Sequence, residues 1–102
     1  MNWCVYIILC SDNSLYTGIT TDLSRRLRQH ADLKGAKYFR GRQPRQLVYL
    51  ETLHNRSSAS KREIIIKKLN RIDKIRLIGS EQNTITDQEA VALIPKRKDT
   101  DL

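Results

Sequence analysis

Trp3 to Cys10 (WCVYIILC) is apolar at every position, and no other stretch narrows the fold as much. Side chains of a strand alternate between its two faces, so a run that is apolar at both parities has to be covered on both. Its Val, Tyr and Ile content favours extended backbone. The run therefore reads as a central strand with a layer of structure on each side. A chain of 102 residues holds one such core and one compact domain.

The neighbouring segments supply the rest of that domain. Ser11-Asp12-Asn13-Ser14 is turn chemistry, and Leu15 to Thr20 is a second strand, so the first two strands form a hairpin. Thr21 or Asp22 caps a helix that follows. Leu47-Val48-Tyr49-Leu50 reads as a third strand, and the polar cluster Asn55 to Ser60 opens a helix running to about Leu69. Asn70 interrupts, and a short helix ends at Gly79. The fold class expected is α/β (α+β): a three-stranded, mainly antiparallel sheet with the first strand central and helices packed around it. Residues 1–79 form the domain in this reading, and 80–102 a polar tail. Within the tail Thr86-x-x-Glu89 and Pro95 bracket a possible short helix at 87–94.

The helix after the hairpin has charge in the wrong place. Leu23, Arg26, Leu27 and His30 fall at i, i+3, i+4 and i+7, within an arc of roughly 100° that should face the core. Arg25 and Arg28 point away from it. A guanidinium costs several kcal/mol to desolvate unless something compensates it, so an inward Arg26 implies an anionic partner, from the protein or from a ligand.

Lys and Arg number 19 against 11 Asp and Glu, a formal charge of +8, which favours polyanions as partners. From Lys34 to Gln46 the cations Lys34, Lys37, Arg40, Arg42 and Arg45 occur without an acid among them. With Lys67 and Lys74 on the later helices they are candidate contacts to nucleic-acid phosphates, or simply solvated charge. No apolar run approaches the roughly 18 residues of a membrane span, and Met1-Asn2-Trp3 lacks a basic signal-peptide start, so a cytoplasmic protein without membrane partners is expected. Cys4 and Cys10 lie about 20 Å apart along one strand, too far to form a disulfide, and read as two buried thiols.

Tyr6 in Cys4-Val5-Tyr6 and Tyr16 in Tyr16-Thr17-Gly18 bracket the hairpin, with Arg26 eight residues beyond Gly18 and His30 four further on. In this the sequence resembles the GIY-YIG nuclease superfamily, over Trp3 to about Ile78, and in Gly35-Ala36-Lys37-Tyr38-x-Arg40-Gly41 its small single-domain bacterial branch. The resemblance implies that Tyr6, Tyr16, Arg26, His30 and Glu63 are catalytic and that Glu63 holds a single Mg²⁺ or Mn²⁺. Arg26 would clamp a phosphate through its planar fork, and Tyr6 would position or deprotonate the attacking water. Cys4 stands where the family name has its first glycine and Thr17 where it has isoleucine, both read as backbone or packing positions.

The implied site sets geometric conditions. Tyr6 and Tyr16 share a face only if the hairpin loop holds an odd number of residues or a strand bulges, so a loop of three or five is expected. Glu63 shares a helical stripe with Ala59 and Ile66, at the margin of the buried face, from which it could look toward Arg26. Each residue also has a plainer reading. Arg26 could snorkel or bridge to Glu63, His30 could be a hydrogen-bonded helix-end histidine, and the tyrosines could be ordinary strand residues with wet hydroxyls. Ser60-x-x-Glu63 could be a capping box, which a helix starting by Ser58 would remove. The function expected is metal-dependent endonucleolytic hydrolysis of DNA, structure-selective or weakly sequence-specific, with a protein partner able to supply specificity. The alternatives are a non-catalytic nucleic-acid-binding accessory in repair or recombination, and an RNA-associated binding protein.

Overall fold

The computed structural model of the chain describes residues 2–32 and 42–86. In chain order these form β1 (Trp3–Cys10), β2 (Leu15–Thr20), α1 (Leu23–Ala31), β3 (Pro44–His54), α2 (Arg56–Lys68) and α3 (Arg71–Ile78). The sheet order is β2-β1-β3 with both pairings antiparallel, so the all-apolar run is the central strand. Its even-numbered side chains Cys4, Tyr6, Ile8 and Cys10 pack with Leu47 and Leu50 under α1. Val5 and Ile7 on the opposite face pack with Tyr49 against α2 and α3 through Ala59, Ile66 and Leu77. Cys4 and Cys10 are buried free thiols. Among the described residues no helix is long and apolar enough to cross a membrane.

The hairpin loop holds three residues, Ser11, Asp12 and Asn13. Asn13 N–H donates to the Cys10 carbonyl and Cys10 N–H to the Ser14 carbonyl, each at 2.9 Å. Asn13 closes the turn at φ 67°, a left-handed conformation that asparagine tolerates and this loop type requires. The odd count pairs Tyr6 with Gly18 and Ile8 with Tyr16, which puts both tyrosines on the α1 face. Asp22 caps α1 by accepting from the Arg25 N–H at 3.1 Å.

β3 is longer than its apolar center. Pro44 to Gln46 pair with Cys10 and Leu9, and after a bulge His54 pairs with Trp3, so backbone bonds extend the strand where its side chains turn polar. Leu53 occupies the bulge at φ 66° with its side chain in solvent. Below the sheet, Glu51 fastens α2 to β3 by accepting from Tyr49 Oη, His54 Nε2 and Arg62 Nε. α2 starts at Arg56 behind an Asn55–Ser58 capping box, so Ser60 and Glu63 do not form one.

The chain does not leave the domain at Gly79. Asn83 donates to the carbonyls of Val48 and Ile78 at 2.9 and 2.8 Å and accepts from the Leu50 N–H at 3.1 Å. Thr84 N–H donates to the Leu50 carbonyl, and Ile85 packs on the α1-side core. One side-chain amide thus satisfies backbone groups on the outer edge of β3, which hydropathy does not register. Lys34, Lys37, Arg40 and the possible helix at 87–94 lie outside the described residues.

Two substitutions separate satisfied from unsatisfied polar groups. Asn83→Ala leaves several edge groups without partners and lowers stability by about 2–3 kcal/mol in urea unfolding. Thr17 has a buried hydroxyl with no partner. Its replacement by the near-isosteric valine leaves stability unchanged or raises it by up to about 1 kcal/mol in the same assay.

Candidate active site

The site begins with a missing side chain. Tyr6 faces Gly18 across the β1–β2 pairing, and a Cβ at Gly18 would lie 2.5 Å from the Tyr6 hydroxyl and 2.7 Å from Cζ. No real Cβ tolerates that approach, so the Tyr6 ring lies across bare β2 backbone with its hydroxyl over the edge strand. There it meets His30 Nε2 at 2.8 Å. Tyr16, on the same face, stands edge-on to His30 with centroids 5.3 Å apart and lies 6.3 Å from the Tyr6 ring. Tyr6 and His30 are fully enclosed, while Tyr16 and Arg26 are half-buried.

Arg26 enters the same group from α1. Its Nη1 donates to Gln29 Oε1 at 3.1 Å, and its Nε is buried with no hydrogen-bond partner. Burial alone pulls the guanidinium pKa down, but the Tyr6 and Tyr16 hydroxyls beside it hold its proton and the net shift is upward. Among the described residues no carboxylate pairs with it.

These charges set the protonation of the pair behind. Burial, then the nearby Tyr16 phenol, raise the Tyr6 hydroxyl well above an ordinary phenol, and Arg26 only partly offsets them. Burial, then the Arg26 charge, push His30 down to about 4. At neutral pH Tyr6 is therefore a protonated phenol hydrogen-bonded to Nε2 of a neutral imidazole.

Glu63 is not part of this cluster. It sits on α2, on the opposite face of the sheet, and its carboxylate is 3.3 Å from Lys67 Nζ. Glu63 does lie at the margin of the buried face of α2, partly covered, but its helical position carries no information about which face of the sheet α2 covers. β2 has the Tyr6 hydroxyl above it and α2 packed beneath it. The described residues contain no group of three or more His, Cys, Asp or Glu able to hold a metal. A half-buried single carboxylate whose partner is an exposed lysine suits Mg²⁺, which is commonly held by one or two carboxylates with water and phosphate oxygens.

The basic residues divide. Arg42 is engaged with Asp12 at 3.2 Å on the hairpin turn, Lys67 with Glu63, and Arg45 is exposed on β3. Lys67 and Lys74 belong to α2 and α3, across the sheet from Arg26. Two features escaped the sequence reading. Gln29, three positions after Arg26, orients the guanidinium, and the i, i+3 spacing carried that signal. Trp3 and Arg26 line one hollow of about 230 Å³ at the end of β2, which only the assembled fold reveals.

Residues 2–76 match the GIY-YIG catalytic domain. The chain belongs to the GIY-YIG family. It is 49% identical over 81 residues to a UPF0213 protein of Desulfotalea psychrophila, covering 78% of this chain and 74% of that one. A UPF0213 protein of Clostridium perfringens is 51% identical over 81 residues, covering 79% and 86%. The solution NMR structure of a UPF0213 protein from Bacillus halodurans is similar at 44% identity, covering 80% and 87% with a TM-score of 0.53. In this GIY-YIG chain, Cys4 and Thr17, which depart from the family name, are both buried in the packing of the sheet.

Two outcomes check the geometry. Between pH 6.5 and about 4 an unfolded histidine takes up a proton that native His30 refuses, so the native state binds fewer protons and loses stability as pH falls through that window. The contribution is complete above about pH 6.5, the loss below it amounts to up to roughly 3 kcal/mol, and His30→Gln removes that part of the slope in a pH series of chemical unfolding. Gly18→Ala displaces the Tyr6 ring, costs about 1–3 kcal/mol by overpacking, and breaks the Tyr6–His30 contact as seen in the side-chain NMR signals of both residues.

Proposed function

We propose that this GIY-YIG chain is a metal-dependent endonuclease that hydrolyses phosphodiester bonds in DNA, with structure selectivity or weak sequence preference. The observation that carries the reading is Arg26: a half-buried cation among aromatic rings, with an unpartnered Nε and no described carboxylate to balance it. A phosphate supplies the missing charge and matches the planar fork with two oxygens.

The surrounding residues suit the proton movements that hydrolysis requires. With the imidazole proton on Nδ1, Tyr6 would donate its own proton to His30 Nε2, which leaves the phenol oxygen able to accept one from a water. As the water's proton moves to Tyr6, the Tyr6 proton moves to His30, so the phenol stays neutral and the positive charge forms on imidazole. Tyr16, beside both and half-buried, orients water or substrate. Gln29 holds Arg26 in place. Glu63 would bind the single Mg²⁺ or Mn²⁺, and that ion when bound supplies Lewis acidity and charge neutralisation at the phosphoryl oxygens. Substrate would meet both halves at β2.

A second reading, a nucleic-acid-binding accessory without hydrolytic activity, is favoured by the enclosure of Tyr6 and His30 and by the engagement of Glu63 with Lys67. Cleavage separates the two. With Mg²⁺ or Mn²⁺ the wild-type protein should cut at least one of a panel of branched, flapped, single-stranded and plasmid DNAs. Arg26→Ala and Glu63→Ala should each lower the rate on the order of 10²–10³-fold with circular dichroism unchanged. Arg26→Lys should recover only part of the loss, since an ammonium offers one point of charge. A wild-type protein that cuts none of these DNAs, or variants that cut equally well, would leave the binding reading.

A further inference from the structure

From the hollow at the end of β2 we infer a subsite for one unstacked nucleobase beside the Arg26 phosphate position, an inference that rests on the nuclease reading and names its substrate class. The hollow has a volume of about 230 Å³ and is lined by Trp3, Ile19, Asp22, Arg25, Arg26 and Gln29 among others. That is below the roughly 300 Å³ at which pockets for drug-sized ligands begin, and it suits a single heterocycle rather than a base pair. Trp3 packs at the margin of the lower core with Ile19, so its indole is held in place rather than free to swing. A fixed aromatic face is what an unpaired base stacks on.

The rim has the polar chemistry a base edge needs. Asp22 uses Oδ1 to cap α1, leaving the rest of its carboxylate to accept from base N–H groups. Gln29 brings an amide, and Arg25 and Arg26 bring positive charge for the phosphates on either side. Because Arg26 is both a wall of the hollow and the residue assigned to the phosphate, an occupying base belongs to a nucleotide adjoining the scissile bond. A base paired and stacked inside a duplex cannot enter. The substrate class is accordingly DNA with an unpaired or splayed nucleotide next to the cleaved position: a flap, a fork or a loop.

Trp3 is the only tryptophan of the chain, so its fluorescence reports on the hollow directly. The full-length protein is titrated in EDTA, at fixed salt, with a forked DNA, with the same fork made abasic at single unpaired positions in turn, and with a fully paired duplex of equal length. The fork is expected to quench Trp3 and to bind roughly tenfold tighter than its abasic counterpart at one position. In parallel titrations read by the anisotropy of labelled forks, since neither variant carries a tryptophan, Trp3→Leu should abolish that affinity difference and Trp3→Phe should restore most of it. Equal affinity and equal quenching by every abasic fork and the intact one overturn the proposal, and this arm uses only the wild-type protein, so it stands even where Trp3→Leu folds poorly. Cleavage with Mg²⁺ is measured separately. Base-dependent quenching without cleavage sinks the nuclease reading and keeps the subsite, whereas cleavage indifferent to every abasic position does the reverse.

Discussion

The position of the Tyr6 ring over the backbone of Gly18 is the constraint from which the rest of the site follows. It requires a residue without Cβ at 18 and a register that pairs 6 with 18, and the three-residue loop Ser11–Asp12–Asn13 provides that register. A slip of one residue would send Tyr16 to the other face and put a side chain under the Tyr6 ring. The hydroxyl could then no longer reach His30, and the imidazole would lose its partner at Nε2.

Burial and charge act on that arrangement in opposite senses. Enclosure disfavours every ionised form, which keeps Tyr6 protonated and His30 neutral, yet Arg26 remains charged because two phenol oxygens face it. The result is a localised positive charge backed by two neutral groups joined through one proton. Such a site has little use for a cation or a neutral ligand, and an anion that docks on Arg26 lowers the cost of placing charge on His30 as well. The same electrostatics that keep Tyr6 and His30 neutral at rest would, in the proposed reaction, favour proton transfer once a phosphate has arrived.

What was legible in the sequence was what depends on local pattern. The apolar run of β1 gave the central strand, the i, i+3, i+4, i+7 stripe gave the inward Arg26 and His30, and the family resemblance, by requiring both tyrosines on one face, gave an odd hairpin loop. Features set by packing between distant segments were not legible. The position of Glu63 on its helix could be read, but the face that α2 covers depends on the chain crossing the sheet. The extension of β3 rests on backbone pairing of polar residues, and the role of Asn83 rests on the Val48 carbonyl and the Leu50 N–H, far earlier in the chain. The hollow beside Trp3 combines residues from β1, β2 and α1, and no linear spacing announces it.

The proposed placement of the site at β2 depends on which sheet edge the described residues leave open. α1 and the α2–α3 pair occupy opposite faces, so residues of the two layers can approach one substrate only around an edge. On the β3 side that route is closed: Asn83 and Thr84 bond the outer backbone groups of Val48 and Leu50, and Glu51 ties Tyr49, His54 and Arg62 into one satisfied cluster beneath. Among the described residues β2 carries no further strand. Short edge strands are a common way of limiting unwanted pairing, and β2 has six residues with a glycine among them. Its brevity and its bare position at 18 thus do two things at once, limiting edge-to-edge association and letting an aromatic ring from the neighbouring strand reach over it.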